Sequence, residues 1–229
     1  MSLGGWTFSA LSADVDETPQ PGEAPAAYVR RLAAEKAQAL AERLEAGVPG
    51  GASPAPGAGE ADLIVAADTT VAELPQGAQN GPETILGKPS GPQEAETMLR
   101  RLRGRPHRVY TGLAVLRLSD GRLFSGLCET QVFMRSYTDG EMAAYIASGD
   151  PLDKAGAYAV QHRGFHPVER LEGCYANVVG LPLCALTRLL SQAGLPSPLE
   201  GELAQACAGE LHGDLFAECP YYPLEPVSE

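Results

Sequence analysis

The stretch Asp62-Leu-Ile-Val-Ala-Ala-Asp68 decides how this chain is read. An unbroken apolar row bounded by two aspartates has the pattern of a strand buried on both faces, not the alternation of a half-exposed one. Asp68, which halts the run, then falls where open α/β sheets place their chemistry, in the crevice beyond the strand ends. The plainer reading of Asp68 is a turn or helix-capping residue.

Upstream, Pro25 to Ala46 reads as a helix, with Val29, Leu32, Ala33, Lys36, Ala37, Leu40 and Leu44 at helical spacing. Lys36 lies beside that apolar stripe, either as a functional ammonium or as a stem covering its own helix. Before it come a short strand at Thr7–Ser12 and a polar loop, Ala13-Asp-Val-Asp-Glu17, extended by Pro19, Pro21 and Pro25. Residues 47–60 are a Gly/Pro/Ala insert, read as a flexible surface loop. Downstream, Ala72 to Ser90 reads as loop, and Pro92 to Arg103 as a helix with Gly104 at its C-terminal cap. Two strands, His107–Leu118 and Arg122–Met134, are joined by Asp120-Gly121, a strong hairpin signal. Thr138-x-x-Glu141 is a capping box for a helix ending near Ser148-Gly149. Asp153 to Gln161 and Phe165 to Leu171 read as strand, turn, strand, and Pro182 to Ala193 as a closing helix. The expected organisation is one domain over residues 1–195 with a loosely attached tail over 196–229.

The 229 residues are 44% hydrophobic and 20% charged, the balance of a globule rather than a disordered chain. Lys and Arg number 17 against 29 Asp and Glu, a net charge of −12, which argues against a general nucleic-acid or anionic-membrane binder. One small basic pocket for a phosphorylated metabolite remains compatible with it. The 5 cysteines are widely spaced with no C-x-x-C, which fits reduced thiols in a cytoplasm. Met1 to Trp6 has no basic and apolar regions of a targeting signal, and the longest apolar stretch, Val178 to Leu186, is far short of the roughly 20 residues of a membrane helix.

Two apparent motifs fail on inspection. Gly87-Lys88 is not a phosphate-binding P-loop, because Pro82 and Pro89 stand where that loop needs Gly and Ser or Thr. His162-x-x-x-His166 has metal-ligand spacing, but Gly164 and Pro167 argue for a turn. What remains is a scatter of charges at loop and strand ends: Glu17, Lys36, Asp68, Lys88, Asp153 and Lys154, with the neutral amide of Gln161. That set suits phosphoryl chemistry: carboxylates hold a divalent cation and orient a water, lysines neutralise phosphate oxygens, and an amide reads a base edge. Scattered charges of this kind are also ordinary surface in most proteins.

The segments Ala13-Asp-Val-Asp-Glu-Thr18, Glu35-Lys-Ala37, Ala67-Asp-Thr69, Ile85-Leu-Gly-Lys-Pro89, Gly104-Arg-Pro-His107 with Tyr110-Thr-Gly112, Asp153-Lys-Ala-Gly-Ala-Tyr158 to Gln161, and Asn177-Val-Val-Gly-Leu-Pro182 occur in order. In that order they resemble the Maf family of nucleoside triphosphate pyrophosphatases, once described as septum-formation inhibitors, over about Trp6 to Gly194. The resemblance implies an α/β fold with a long mixed sheet flanked by helices and a cleft between two lobes, as in inosine triphosphate pyrophosphatases. It implies hydrolysis of a nucleoside triphosphate to monophosphate and pyrophosphate with Mg²⁺ or Mn²⁺. Asp68 then matches the general base or metal-linked carboxylate, and Glu17 the acidic residue that assists the metal. Lys36 and Lys88 match phosphate-binding lysines, Asp153 and Lys154 fall in a substrate-binding motif, and Thr69 and Gln161 match positions tied to base choice. Thr and Gln there resemble the dTTP and UTP subgroup rather than the 7-methyl-GTP one. The family's N-terminal strand and Ser-x-Ser-Pro-Arg-Arg loop have no counterpart in the sequence, which implies reduced activity or a misplaced start.

The leading expectation is a cytoplasmic enzyme that removes surplus or non-standard pyrimidine triphosphates, with a homodimer as a possible assembly and neither nucleic acid nor membrane as partner. The alternatives are a catalytically weak relative that binds nucleotide or protein, a 7-methyl-GTP-type pyrophosphatase, and an α/β domain whose motifs are structural remnants.

Overall fold

A computed structural model describes residues 8–46, 63–75 and 81–195. A sheet of five strands forms its centre, in the order β2-β1-β3-β4-β5, with β1 at Leu63–Glu73, β2 at Thr84–Leu86, β3 at Pro106–Arg117, β4 at Arg122–Met134 and β5 at Val168–Glu172. Helices α1 (Pro25–Glu45), α2 (Pro92–Leu102), α3 (Asp139–Ala147), α4 (Tyr175–Val179) and α5 (Leu183–Gln192) cover it. The expected α/β class with helices around a sheet holds. Every described pairing is antiparallel, so the parallel neighbours of a mixed sheet are not found among the described residues. No helix of the described residues is long and apolar enough to cross a membrane.

Alternation along the strands sorts the core onto two faces. On one face α1 lays Tyr28, Val29, Leu32, Ala33 and Ala37 against Ile64, Ala72, Tyr110, Ala114 and Leu116. On the other, Leu186, Leu189 and Leu190 of α5 pack on Leu113, Val115 and Phe124. There too Met98, Leu99 and Leu102 of α2 pack with Tyr145 of α3 on Val71, Val109 and Val132. Each fully buried Leu or Val of these layers is worth about 1.5–3 kcal/mol relative to exposure. Two glycines set the layer spacing. A Cβ on Gly112 would lie 2.2 Å from the Val29 carbonyl oxygen, so α1 touches the sheet backbone to backbone there. Gly156, at φ +68°, would drive a Cβ to 2.9 Å from the Val71 side chain.

Helices α1, α2 and α5 and the β3–β4 hairpin stand within a residue or two of their expected bounds. The Thr138 capping box forms in full, with the Thr138 hydroxyl accepting from the Glu141 N–H and Glu141 accepting from the Thr138 N–H. Four expectations change. The strand containing Asp68 does not stop there but runs five residues further, to Glu73. The stretch read as loop contains β2, whose three residues are too few to show a period. The strand expected at Asp153–Gln161 is a pair of 3₁₀ turns, Asp150–Asp153 and Ala155–Ala157, because Gly156 takes a left-handed conformation. Residues 8–12 of the expected first strand are irregular. The insert at 47–60 and the tail at 196–229 lie outside the described residues.

Candidate active site

The site is built where β2 ends. Val71 pairs with Leu86, and the described residues N-terminal to Val71 in β1 pair on one side only, with β3. Asp68 is therefore mid-strand in sequence but, among the described residues, at a local edge of the sheet. Its partner across the ladder is Gly112, the residue that admits the α1 backbone. That close approach brings Lys36, on the inner side of α1, to the Asp68 carboxylate.

Lys36 Nζ lies 2.7 Å from Asp68 Oδ1 and 2.7 Å from Glu17 Oε1. Glu17 is held in place by Tyr28, whose hydroxyl donates to the Glu17 carbonyl at 2.7 Å. The Asp68 side chain is 10% exposed, that of Lys36 18% and that of Glu17 48%. Burial raises the Asp68 pKa above its ordinary value; the hydrogen bond from Lys36 opposes this, and the Glu17 charge adds to it. The hydrogen bond from Lys36 holds the Glu17 carboxyl below its ordinary value. Burial works against the Lys36 charge, but Asp68 and Glu17 together outweigh it and raise its pKa. The result is one carboxylate made more basic than usual and kept in line by a fully charged ammonium.

Glu17 and Lys88 stand in the wall of a cleft of about 530 Å³ that runs along β2 between α1 and α2. Tyr28, Ile85 and Met98 give it apolar walls, and Arg101 borders it on α2. Lys88, exposed just after β2, acts electrostatically on Glu17, Asp68 and Asp153. The Gly87 carbonyl accepts from the Gly156 N–H at 3.1 Å, so the turn before Lys88 is tied to the 3₁₀ segment.

Other expected residues are placed apart. Thr69 follows Asp68 and so faces the opposite side of the sheet, where its hydroxyl is 2.8 Å from that of Thr111 and 3.4 Å from the Gly180 carbonyl. The Lys154 ammonium is taken up by Asp153 at 2.7 Å and by the Asp150 carbonyl at 2.8 Å. Gln161 is exposed in the turn after Tyr158. Tyr28 was not singled out from the sequence, because a tyrosine beside Val29 in a helical stripe looks like core.

The sequence pattern of Maf-like proteins matches residues 1–193. The chain belongs to the Maf family. A dTTP/UTP pyrophosphatase of Myxococcus xanthus (strain DK1622) is 47% identical to this Maf chain over 191 residues, covering 83% of it and 84% of the relative. A dTTP/UTP pyrophosphatase of Pelotomaculum thermopropionicum is 42% identical, covering 83% and 87%. One of Dehalococcoides mccartyi (strain ATCC BAA-2266 / KCTC 15142 / 195) is 39% identical, covering 83% and 75%. The Maf resemblance read from scattered motifs is thus matched along most of the chain. Among the described residues no three or more His, Cys, Asp or Glu stand together as a metal site, but the Glu17–Asp68 pair suits a divalent cation that is completed by other ligands. Asp68 and Glu17 each engage Lys36 through one oxygen, and two protein carboxylates are what Mg²⁺ takes when water and substrate phosphates supply the rest.

Proposed function

We propose that this Maf chain hydrolyses dTTP and UTP to the monophosphate and pyrophosphate. The observation that carries the reading is the Glu17–Lys36–Asp68 constellation at a cleft that also presents Lys88, in a chain whose relatives are named for that activity. Asp68 accepts a proton from the attacking water, a role its burial favours by making it more basic. The water oxygen bonds to the α-phosphorus, the bond from that phosphorus to the α–β bridging oxygen breaks, and pyrophosphate leaves with the bonding pair. Lys36 fixes the base and keeps two carboxylates together. Lys88 neutralises phosphate oxygens. A bound Mg²⁺ or Mn²⁺, held by Asp68 and Glu17, would neutralise phosphate charge and polarise the reacting phosphoryl group.

Base choice is assigned to Thr69 and Gln161, by their match to the family motif. The Gln161 amide offers a donor and an acceptor to the edge of uracil or thymine, and its exposure leaves it able to do so. Asp153 and Lys154 lie one turn from Gly156, which bonds to Gly87, and shape the rim beside Lys88. The reading treats residues 1–195 as one catalytic domain working in the cytoplasm. A panel of dTTP, UTP, 7-methyl-GTP and ATP with Mg²⁺ or Mn²⁺, scored for pyrophosphate, tests it. The expected outcome is pyrophosphate from dTTP and UTP well ahead of the purines. Orthophosphate alone, or a purine preference, overturns it.

A further inference from the structure

The charges that line the cleft do not yet balance a triphosphate. Behind the wall the Lys36 ammonium is already shared by Asp68 and Glu17, and Glu94 adds negative charge to the wall that Glu17 also lines. Lys88 and Arg101 are the cations that line the cleft among the described residues. Arg101 is held by Glu73, at the end of the strand that carries Asp68: Arg101 Nη2 donates to Glu73 Oε2. Glu73 is 7% exposed, and its other oxygen, Oε1, is buried with no partner among the described residues. Among the described residues the guanidinium is thus the one ion-pair partner of a buried carboxylate, which fixes where it sits. Nε and Nη1 make no hydrogen bond with a described residue and keep the forked geometry that matches phosphate oxygens.

Position agrees with charge. Glu73 pairs with Thr84 across the β1–β2 ladder, and Lys88 lies four residues beyond Thr84. That is about 13 Å of extended chain, which two long cationic side chains can bracket. Asp68 reaches this cleft through Lys36 and Glu17, and a phosphate chain that enters beside Glu17 and passes Lys88 would run along β2 toward Arg101 of α2. We propose that Arg101 binds the terminal phosphate of the triphosphate, and that Glu73 is its positioning residue. The inference rests on the pyrophosphatase reading and deepens it. When the α–β linkage breaks, the departing pyrophosphate gains charge, and the Arg101 N–H groups meet that charge at the far phosphate. The contact also separates triphosphates from shorter phosphates, which cannot reach it.

The test is product inhibition of dTTP turnover by inorganic pyrophosphate and, separately, by dTMP, which lacks the terminal phosphates. Arg101→Gln alone strands a buried carboxylate, so the informative protein carries Arg101→Gln together with Glu73→Gln; Arg101→Lys keeps the ion pair but loses the fork. In the double variant the KM for dTTP and the inhibition constant for pyrophosphate are expected to rise about tenfold, the worth of one charge-assisted contact, while dTMP inhibition changes less than about twofold. Arg101→Lys should fall between. Because dTMP reports the folded site on the same sample, general damage would weaken both inhibitors together. Equal weakening, or no change in either, overturns the proposal and leaves the pyrophosphatase reading standing. A wild-type enzyme that releases no pyrophosphate from any triphosphate overturns that reading and this inference with it.

Discussion

Lys36 stands between two carboxylates, and the consequences of that arrangement differ for each partner. Asp68 has a raised pKa, so its charged form is disfavoured by folding: the stability linked to it is fully present below its unfolded pKa and lost as pH rises through its folded one. At neutral pH the ionised group is a burden that its proposed role as base requires. Asp68→Asn is therefore expected to lower kcat at least about 100-fold by removing the base, while the melting temperature stays within about 4 °C of wild type. Kinetics and melting curves on one preparation decide this, and activity within a few-fold of wild type would rule Asp68 out as the base. The same raised pKa sets the acid limb of kcat/KM: turnover should fade at a pH above the ordinary aspartate range as the base takes up its proton. Asp68, Lys36 and Glu17 were legible in the sequence because they sit in short motifs that occur in order. Tyr28, Glu73 and Arg101 were not, since each looks like ordinary core or helix surface until the fold brings Tyr28 of α1 and Arg101 of α2 to one cleft and sets Glu73 of β1 against Arg101.

At the level of elements, the site depends on how closely α1 can approach the sheet. Gly112→Ala would place a methyl group 2.2 Å from the Val29 carbonyl oxygen, where only backbone movement can relieve it. Overpacking of this kind costs about 1–3 kcal/mol or more. Here it also lifts Lys36 away from Asp68, so loss of stability in urea titration should come with loss of turnover. An alanine variant with wild-type midpoint and activity would show that the helix does not need the contact. The long periodic helices and the hairpin could be read in advance, because α1, α2 and α5 repeat their apolar residues and Asp120-Gly121 marks the turn, Gly121 taking φ +68°. What escaped is short or governed by distant contacts. Three residues of β2 and five of α4 carry no period, and the 153–161 stretch was turned from strand by a left-handed Gly156 that packs on Val71.

Across the whole molecule, one buried ring adds to the loss of stability in acid. His107 Nε2 lies 2.7 Å from the Tyr158 hydroxyl, Nδ1 is buried without a partner among the described residues, and burial pushes the imidazole pKa down to about 3. A depressed value means that its contribution is present above the unfolded pKa and is lost as pH falls toward the folded one. Between pH 6.5 and 5 the wild type should lose about 1.5 kcal/mol more unfolding free energy than His107→Gln. Urea titrations at the two pH values measure it, and parallel losses in both proteins would discard the explanation. The strand that carries Asp68 has a further consequence for how the chain reaches its native state. Because side chains alternate, a slip of one residue in the β1–β3 ladder would exchange Asp68 for Thr69 beneath α1. Lys36 would then meet a hydroxyl in place of the more buried of its two carboxylates, and Asp68 would be turned toward the apolar layer under α5. Both errors leave a charge poorly matched in a dry environment. The Lys36–Asp68 pair thus doubles as a proofreading device for strand alignment: a misaligned β1–β3 ladder is penalised by the same charges that we propose a correctly aligned one uses on substrate.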